Sequence, residues 1–269
     1  MSDLTKNLEK PVSRSFAKWI LNRKWVRPWL KRVIRSLLKP SVIRYQDCDF
    51  LVHKRDNLTE FYLWKTGRAN EHDAVQYVSD LLDQTGATIV DVGANAGVLF
   101  LPILNAAGAG AVGVAFEPNP TLIDRLRKNI SLNGFANAKV FDCAIGEKDS
   151  ISKLFFPKRT NLGEGRIDLG YANGATDNIS EVQVRVLAEC LTEAGVTKLD
   201  FLKVDVEGRE DRVIFPLLSG SENLWPVRIL FEIKHQKHWK YPLFEKLLEC
   251  GYTLEKDYQD NCLYCRKTS

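Results

Sequence analysis

The residues best suited to chemistry fall at the ends of short apolar runs. Asp91 opens the stretch Asp91-Val92-Gly93-Ala94-Asn95-Ala96-Gly97, at the end of the β-branched run Ala87 to Val92. Glycines at the carboxyl end of a buried strand permit positive φ and let the backbone approach a ligand. The spacing Gly93-x-x-x-Gly97 lacks the dinucleotide signature, and the turn has no Lys and Ser/Thr of a P-loop. Such a turn suits a ligand whose charge lies away from a pyrophosphate, as in the amino-acid end and sulfonium of S-adenosylmethionine. The next strand ends in Phe116-Glu117-Pro118-Asn119, where an acid can accept both hydroxyls of a ribose. The third ends in Phe141-Asp142-Cys143-Ala144-Ile145-Gly146, where a polar side chain reaches an adenine with the backbone of Cys143 and Ala144 beside it. Together, in this order, they mark a nucleoside site made by Asp91, Gly93, Asn95, Gly97, Glu117, Pro118, Asn119, Asp142, Cys143 and Ala144, with Asp205 from a later strand.

A second set, Asp205, Glu207, Glu232 and His235, ends strands four and five. Methyl transfer from a sulfonium is an in-line displacement, so alignment supplies much of the acceleration. A hydroxyl acceptor also needs a base within hydrogen-bond reach. His235, with an ordinary pKa near 6.5, is the candidate base, helped by Asp205 or Glu207. A surface histidine in the basic stretch Lys234 to Lys240 is the plainer reading of the same residue. Asp205, Glu207 and Glu232 could hold Mg²⁺ through oxygen; hydrogen bonding that shapes their loop is the preferred reading, and no metal is assigned. Cys262-x-x-Cys265 lies in an expected strand, where i and i+3 face opposite sides, so it reads as core rather than zinc site.

Positioning these groups takes alternating strands and helices. Strands are expected at Ala87 to Val92, Ala111 to Phe116, Lys139 to Ile145, Leu199 to Val204 and Val227 to Ile233, with Val182 to Val186 as an added or edge strand. Helices are expected at Val98 to Ala107, Pro120 to Leu132, Leu187 to Ala194, Glu210 to Leu218 and Pro242 to Cys250, and one ending near Leu82 with Gly86 as its cap. A hairpin of Tyr252 to Lys256 and Cys262 to Arg266 closes the chain and requires one antiparallel strand near an edge. This is an α/β fold with a mostly parallel sheet covered on both faces. Residues 157–180, with Gly163, Gly165, Gly170 and Gly174, read as a long loop, either a lid over the acceptor site or a disordered segment.

The chain has 269 residues, 45% of them hydrophobic, and a net charge of +4 that is unevenly spread. Residues 1–44 hold 12 of the 38 Lys and Arg and two acids, Asp3 and Glu9, so this segment is +10 and the remainder −6. It reads as a basic amphipathic helical extension to a domain spanning 45–269. Phe16, Trp19, Ile20 and Val26, then Leu30, Val33, Ile34 and Leu37, recur at helical spacing, and Pro28 fits the first turn of a second helix. The opposite face carries Arg23, Lys24, Lys31, Arg32, Arg35 and Lys39. This pattern suits an interfacial helix on an anionic membrane; packing on its own domain or on a second copy, giving a homo-oligomer, is the plainer reading. Six scattered cysteines read as reduced thiols of a cytoplasmic protein, which the interfacial reading of the basic helices would place at the inner face of a membrane.

The segments Ile89 to Gly97, Phe116-Glu117-Pro118-Asn119-Pro120 and Leu202-Lys203-Val204-Asp205-Val206-Glu207-Gly208 resemble the FkbM family of class I methyltransferases, over roughly residues 56–266. The last segment is the most specific. The resemblance implies a seven-stranded Rossmann-like sheet with the last strand antiparallel, S-adenosyl-L-methionine as cofactor, and O-methylation of a hydroxyl on a sugar, polyketide or similar small-molecule or glycan acceptor. The family commonly carries Leu-Asp-Asp after the extra strand; here the run is Leu187-Ala188-Glu189-Cys190, so no acid role is carried onto position 188. If the basic extension meets a membrane, the acceptor is a lipid-linked glycan. Two other classes compete. A nucleic-acid methyltransferase would use the basic extension, but the body is net negative and repels phosphate. A non-enzymatic scaffold retaining the fold would have no need of the polar strand ends.

Overall fold

The computed structural model describes residues 14–157, 161–167 and 176–266. The central strands of its main sheet bury side chains on both faces. β3 (Thr88–Val92), β4 (Val112–Phe116), β5 (Ala138–Phe141), β10 (Phe201–Val204) and β11 (Arg228–Glu232) run parallel, joined by β12 (Tyr252–Asp257) and β13 (Asn261–Arg266) in the order β12-β13-β11-β10-β3-β4-β5. β13 is antiparallel to both neighbours, as the terminal hairpin requires. Side chains alternate between two cores, one on each face. Ile89, Ala115, Phe201 and Leu230 enter the first; Val90, Val92, Val114, Phe116, Leu202, Val204 and Phe231 enter the second. α4 (His72–Leu82), α5 (Phe100–Ala106) and α6 (Pro120–Asn133) cover the first face, and α7 (Leu187–Glu193), α8 (Asp211–Leu218) and α9 (Leu243–Glu249) the second. This is the α/β layering expected from the sequence.

Four expectations change. Lys139 to Ile145 is not one strand. The chain kinks at Asp142-Cys143, and β6 (Ala144–Gly146) leaves the main sheet to pair with β9 (Thr176–Val186). β9 is therefore not an edge of the main sheet. With β7 (Ser150–Pro157) and β8 (Arg166–Ile167) it forms a second sheet in the order β6-β9-β7-β8. Part of the stretch read as a loop over 157–180 is thus strand; Gly170 and Gly174 lie outside the described residues. Gly86 does not cap α4, which ends against Asp83. It follows a reversal at Gln84 (φ 52°) and donates its N–H to Ala107 O, docking the link onto the end of α5.

Ahead of the sheet come α1 (Arg14–Asn22), α2 (Pro28–Ser36), the hairpin β1 (Ser41–Tyr45) and β2 (Cys48–Val52), and α3 (Leu58–Thr66). Pro28 opens α2, where its missing N–H costs nothing. Ala17 and Leu21 of α1 enter the first core, and Ile34 and Leu38 pack against it. One side of this helical pair therefore packs on its own domain. A buried cluster pins the hairpin: Arg125 of α6 reaches Glu60 (2.6 Å) and Asp56 (2.9 Å), while Asn129 and Asn133 accept from the backbone N–H groups of Leu51 and Asp49.

Candidate functional site

The carboxyl ends of β3, β4 and β10 meet in one cavity, where open α/β sheets hold ligands. Its floor is the turn after β3. Gly93 there has no room for a side chain, because a Cβ would lie 1.9 Å from Asp205 O; its φ of 84° is also left-handed. Asn95 sits at φ 53° with its N–H donated to Glu117 Oε2 at 2.8 Å. Glu117 Oε1 accepts from Asn119 N–H, also at 2.8 Å, so one carboxylate ties the turn after β3 to the start of α6. Glu117 is buried, and burial pushes its carboxyl up to about 7.

Gly93, Asn95, Glu117, Pro118, Asn119, Cys143, Ala144 and Asp205 line this cavity. Asp91, Gly97 and Asp142 do not. Asp91 is 1% exposed and pairs with Lys203 Nζ at 3.3 Å instead of facing the cavity. Gly97 is a packing position, where a Cβ would meet Leu126 Cδ1 at 2.8 Å. Asp142 is exposed, because the kink out of the main sheet turns Cys143, Ala144 and Ile145 inward instead.

Several contributors had no role in the sequence reading. Lys203, inside β10, places Nζ against Gly93 O (3.1 Å), Asp91 and Asp205 (3.5 Å). Burial alone would lower its pKa, but the carboxylates of Asp91, Asp205 and Glu71 outweigh that and raise it. A lysine within the buried run Phe201-Leu202-Lys203-Val204 was the available signal. The roof comes from residues 161–167. Leu162 N–H donates to Asp56 O (2.7 Å), Leu58 N–H to Asn161 Oδ1 (2.9 Å), and Asn119 Nδ2 to Leu162 O (3.1 Å). Leu162, Gly163, Gly165 and Ile167 line the cavity from above.

Beside this cavity lies a second, sharing Thr59, Glu71, Asn95, Gly163, Asp205 and Glu207 with it. Its lining also includes Asp73, Glu164, Glu232, Asp257 and Asp260, against Arg68 and Lys234. Glu207 stands where the two meet. The turn Asp205-Val206-Glu207-Gly208 holds it at φ 56°, and buried Glu210 fixes the turn by accepting from Val206 N–H and Gly208 N–H. Gly208 (φ 97°) is required, since a Cβ would meet His235 Cβ at 2.8 Å. Burial, reinforced by Asp205, pushes Glu207 up to about 7; Glu232, similarly surrounded, rises to about 8, and its Oε2 has no hydrogen-bond partner among the described residues.

His235 lines neither cavity. Its Nε2 is 3.7 Å from Glu207 Oε2, and Arg166 Nη2 approaches both, at 3.2 Å from Glu207 and 3.3 Å from His235. Burial and then Arg166 lower the histidine's pKa. Ligand atoms of Glu207, Glu232 and His235 lie within 4.8 Å of one another, and so do those of Asp205, Glu210 and Glu232. In the first group, the place a divalent cation would take between Glu207 and His235 is approached by the Arg166 guanidinium.

The sheet order, the glycine turn and the acid ending β4 define a class I methyltransferase fold, with S-adenosyl-L-methionine as its cofactor. The methyltransferase FkbM domain matches residues 91–254, more than half of the chain, and the chain belongs to that family. It is 29% identical over 167 residues to the 31-O-demethyl-FK506 methyltransferase FkbM of Streptomyces tacrolimicus, a match covering 52% of this chain and 62% of that relative's length. Among solved structures it is similar to a methyltransferase FkbM from Methylobacillus flagellatus (16% identity, 93% of this chain and 58% of that one, TM-score 0.44). It is also similar to the N-terminal domain of human METTL16 in complex with SAH (16% identity, 73% and 70%, TM-score 0.42).

Proposed function

We propose that the protein O-methylates a hydroxyl of a sugar, glycan or related metabolite, lipid-linked at a membrane surface, with Glu207 as the general base. The observation that carries this is the placement of Glu207 at the junction of the two cavities, with its carboxyl held near 7. When bound, the cofactor supplies an electrophilic methyl carbon on a sulfonium. Glu117 would accept the ribose hydroxyls, the turn at Gly93 to Asn95 and the Asp205 carboxylate would hold the amino-acid end, and Cys143 to Ile145 would pack against the adenine. The acceptor lies in the acid-lined cavity. As its hydroxyl takes up the methyl group, Glu207 would take the proton. His235 positions Glu207 from behind and is not itself the base, which reverses the order of roles expected from the sequence.

The acid-lined cavity favours a neutral or cationic acceptor over a phosphate-rich one, which speaks against a nucleic acid. Arg166, beside Glu207 and His235, supports a transfer without a divalent cation there. The test is a screen of hydroxylated acceptors with labelled cofactor, with and without EDTA. Transfer to a hydroxyl that survives EDTA and falls with Glu207→Gln is expected. Transfer to a nitrogen or to RNA would overturn the acceptor reading, and loss of activity in EDTA, restored by Mg²⁺, would overturn the metal-free reading.

A further inference from the structure

Helices α1 and α2 bury one apolar side and expose another. Ile34 and Leu38 pack on the domain, but Trp29, Leu30, Val33 and Leu37 cover an adjacent arc of roughly 100° that faces outward. Trp19 is 49% exposed, Trp25 74% and Trp29 59%. Of the fifteen large apolar side chains exposed among the described residues, six fall within residues 19–37. A concentration of this kind is an interaction surface rather than scattered surface hydrophobes.

The charge around it selects the partner. No acid occurs between Glu9 and Asp47, whereas Arg23, Lys24, Arg27 and Lys39 are exposed. Arg23 lies 4.8 Å from the Trp19 ring centre. Tryptophan beside arginine and lysine suits the headgroup level of a bilayer, where the ring enters the acyl boundary and the cation meets lipid phosphate. A second copy of this chain would bring the same cations against one another. A nucleic acid would leave Leu30, Val33 and Leu37 without apolar cover. We infer that α1 and α2, through Trp19, Trp25, Trp29, Leu30, Val33 and Leu37, dock the protein on an anionic phospholipid surface.

The docked face is tied to the cofactor site. Arg35 donates to the carbonyls of Lys54 and Asn57 and lies over the Phe61 ring, fixing α2 on the link between β2 and α3. Asn57 Nδ2 in turn donates to Asn95 Oδ1 in the turn below the cofactor cavity. Two hydrogen bonds therefore separate the docking helix from that turn. The docking stands apart from the choice of acceptor and from the base, because it is read without any methyl transfer.

The experiment is co-sedimentation of the full chain with vesicles of phosphatidylcholine, alone or mixed with phosphatidylserine, while tryptophan emission is recorded. Binding at least ~10-fold stronger to the anionic vesicles, with a blue shift, is expected for basic residues beside an apolar face. Trp25→Ala with Trp29→Ala should remove most of that binding, and Lys24→Glu with Arg27→Glu should remove the preference for phosphatidylserine. Both pairs are exposed, so cofactor affinity by calorimetry should match the parent and confirm folding. Equal binding of parent and tryptophan variant, or none by the parent, would overturn the inference. A concentration-dependent dimer abolished by the same tryptophan pair would overturn it in favour of a second copy, and parent binding to RNA in place of vesicles would overturn it in favour of nucleic acid.

Discussion

Glu207 illustrates how a backbone conformation sets a protonation state. Its left-handed φ turns the carboxylate into a pocket shared with Asp205, and desolvation with like charge lifts it to about 7. A base works only when deprotonated, so kcat/KM should rise with pH through about 7 and level off above it. Glu207→Gln should remove that dependence and lower kcat by ~10²–10⁴. His235→Ala should cost less and displace the apparent pKa; an unchanged profile would show that the histidine does not act on Glu207. Lys203 poses the opposite case, a buried cation among acids. Lys203→Met would leave Asp91 buried without its countercharge and should cost ~3–5 kcal/mol in urea unfolding. At this scale the sequence spoke partly. The strand-end positions of Glu117, Asp205 and Glu207 were legible because motif and strand end coincide. Arg166 was not, since its partners lie 41 and 69 residues away along the chain. Asp142 misled because a strand that kinks after position 141 reverses which side chain turns inward.

The turn after β10 is the element on which most of the site depends. Glu210 holds two of its N–H groups and also accepts from Trp239 Nε1, while Asp211 accepts from Lys240 and Tyr241 N–H. The segment bearing His235 is therefore strapped to the same loop as Glu207. Gly208→Ala places a Cβ at φ 97° against His235 Cβ and should cost ~1–3 kcal/mol in thermal unfolding, with a loss of activity larger than the loss of cofactor affinity. Both falling together would mean that the substitution disturbs the whole loop cluster. The parallel strands could be found from sequence because each is a short β-branched run closed by a turn. The second sheet was hidden. Its strands β7 and β9 carry serine, lysine, asparagine and glutamate between their apolar residues, and Ile151 and Ile179 are exposed, so little marks them as buried.

Across the whole molecule, acids crowd the carboxyl end of the sheet. Glu117 and Glu207 are raised to about 7 and Glu232 to about 8, all above the ordinary value of 4.5. The folded state then binds protons more tightly than the unfolded chain, so these groups add stability at about pH 4.5 and lose it as pH rises towards about 8. The apparent Tm without cofactor should therefore fall between about pH 5 and about pH 8. S-adenosylmethionine, a sulfonium cation, should offset the fall more than uncharged-sulfur S-adenosylhomocysteine does. A Tm rising over that range would contradict the crowding. The uneven charge along the chain was legible from composition, whereas which helical faces are covered depends on packing that no periodicity records. None of the helices among the described residues is long and apolar enough to cross a membrane.

The roof over the cofactor cavity also bears on the order of events in time. Residues 161–167 are held by hydrogen bonds to three separate parts of the chain: the link bearing Asp56 and Leu58, Asn119, and Glu207. A spent nucleoside beneath them leaves only after those contacts part, and they must re-form before the next displacement. The expected consequence is turnover limited by release of the spent nucleoside rather than by bond making. Rapid-quench measurements should record a first methyl transfer faster than every one that follows, with a burst amplitude that counts the loaded sites.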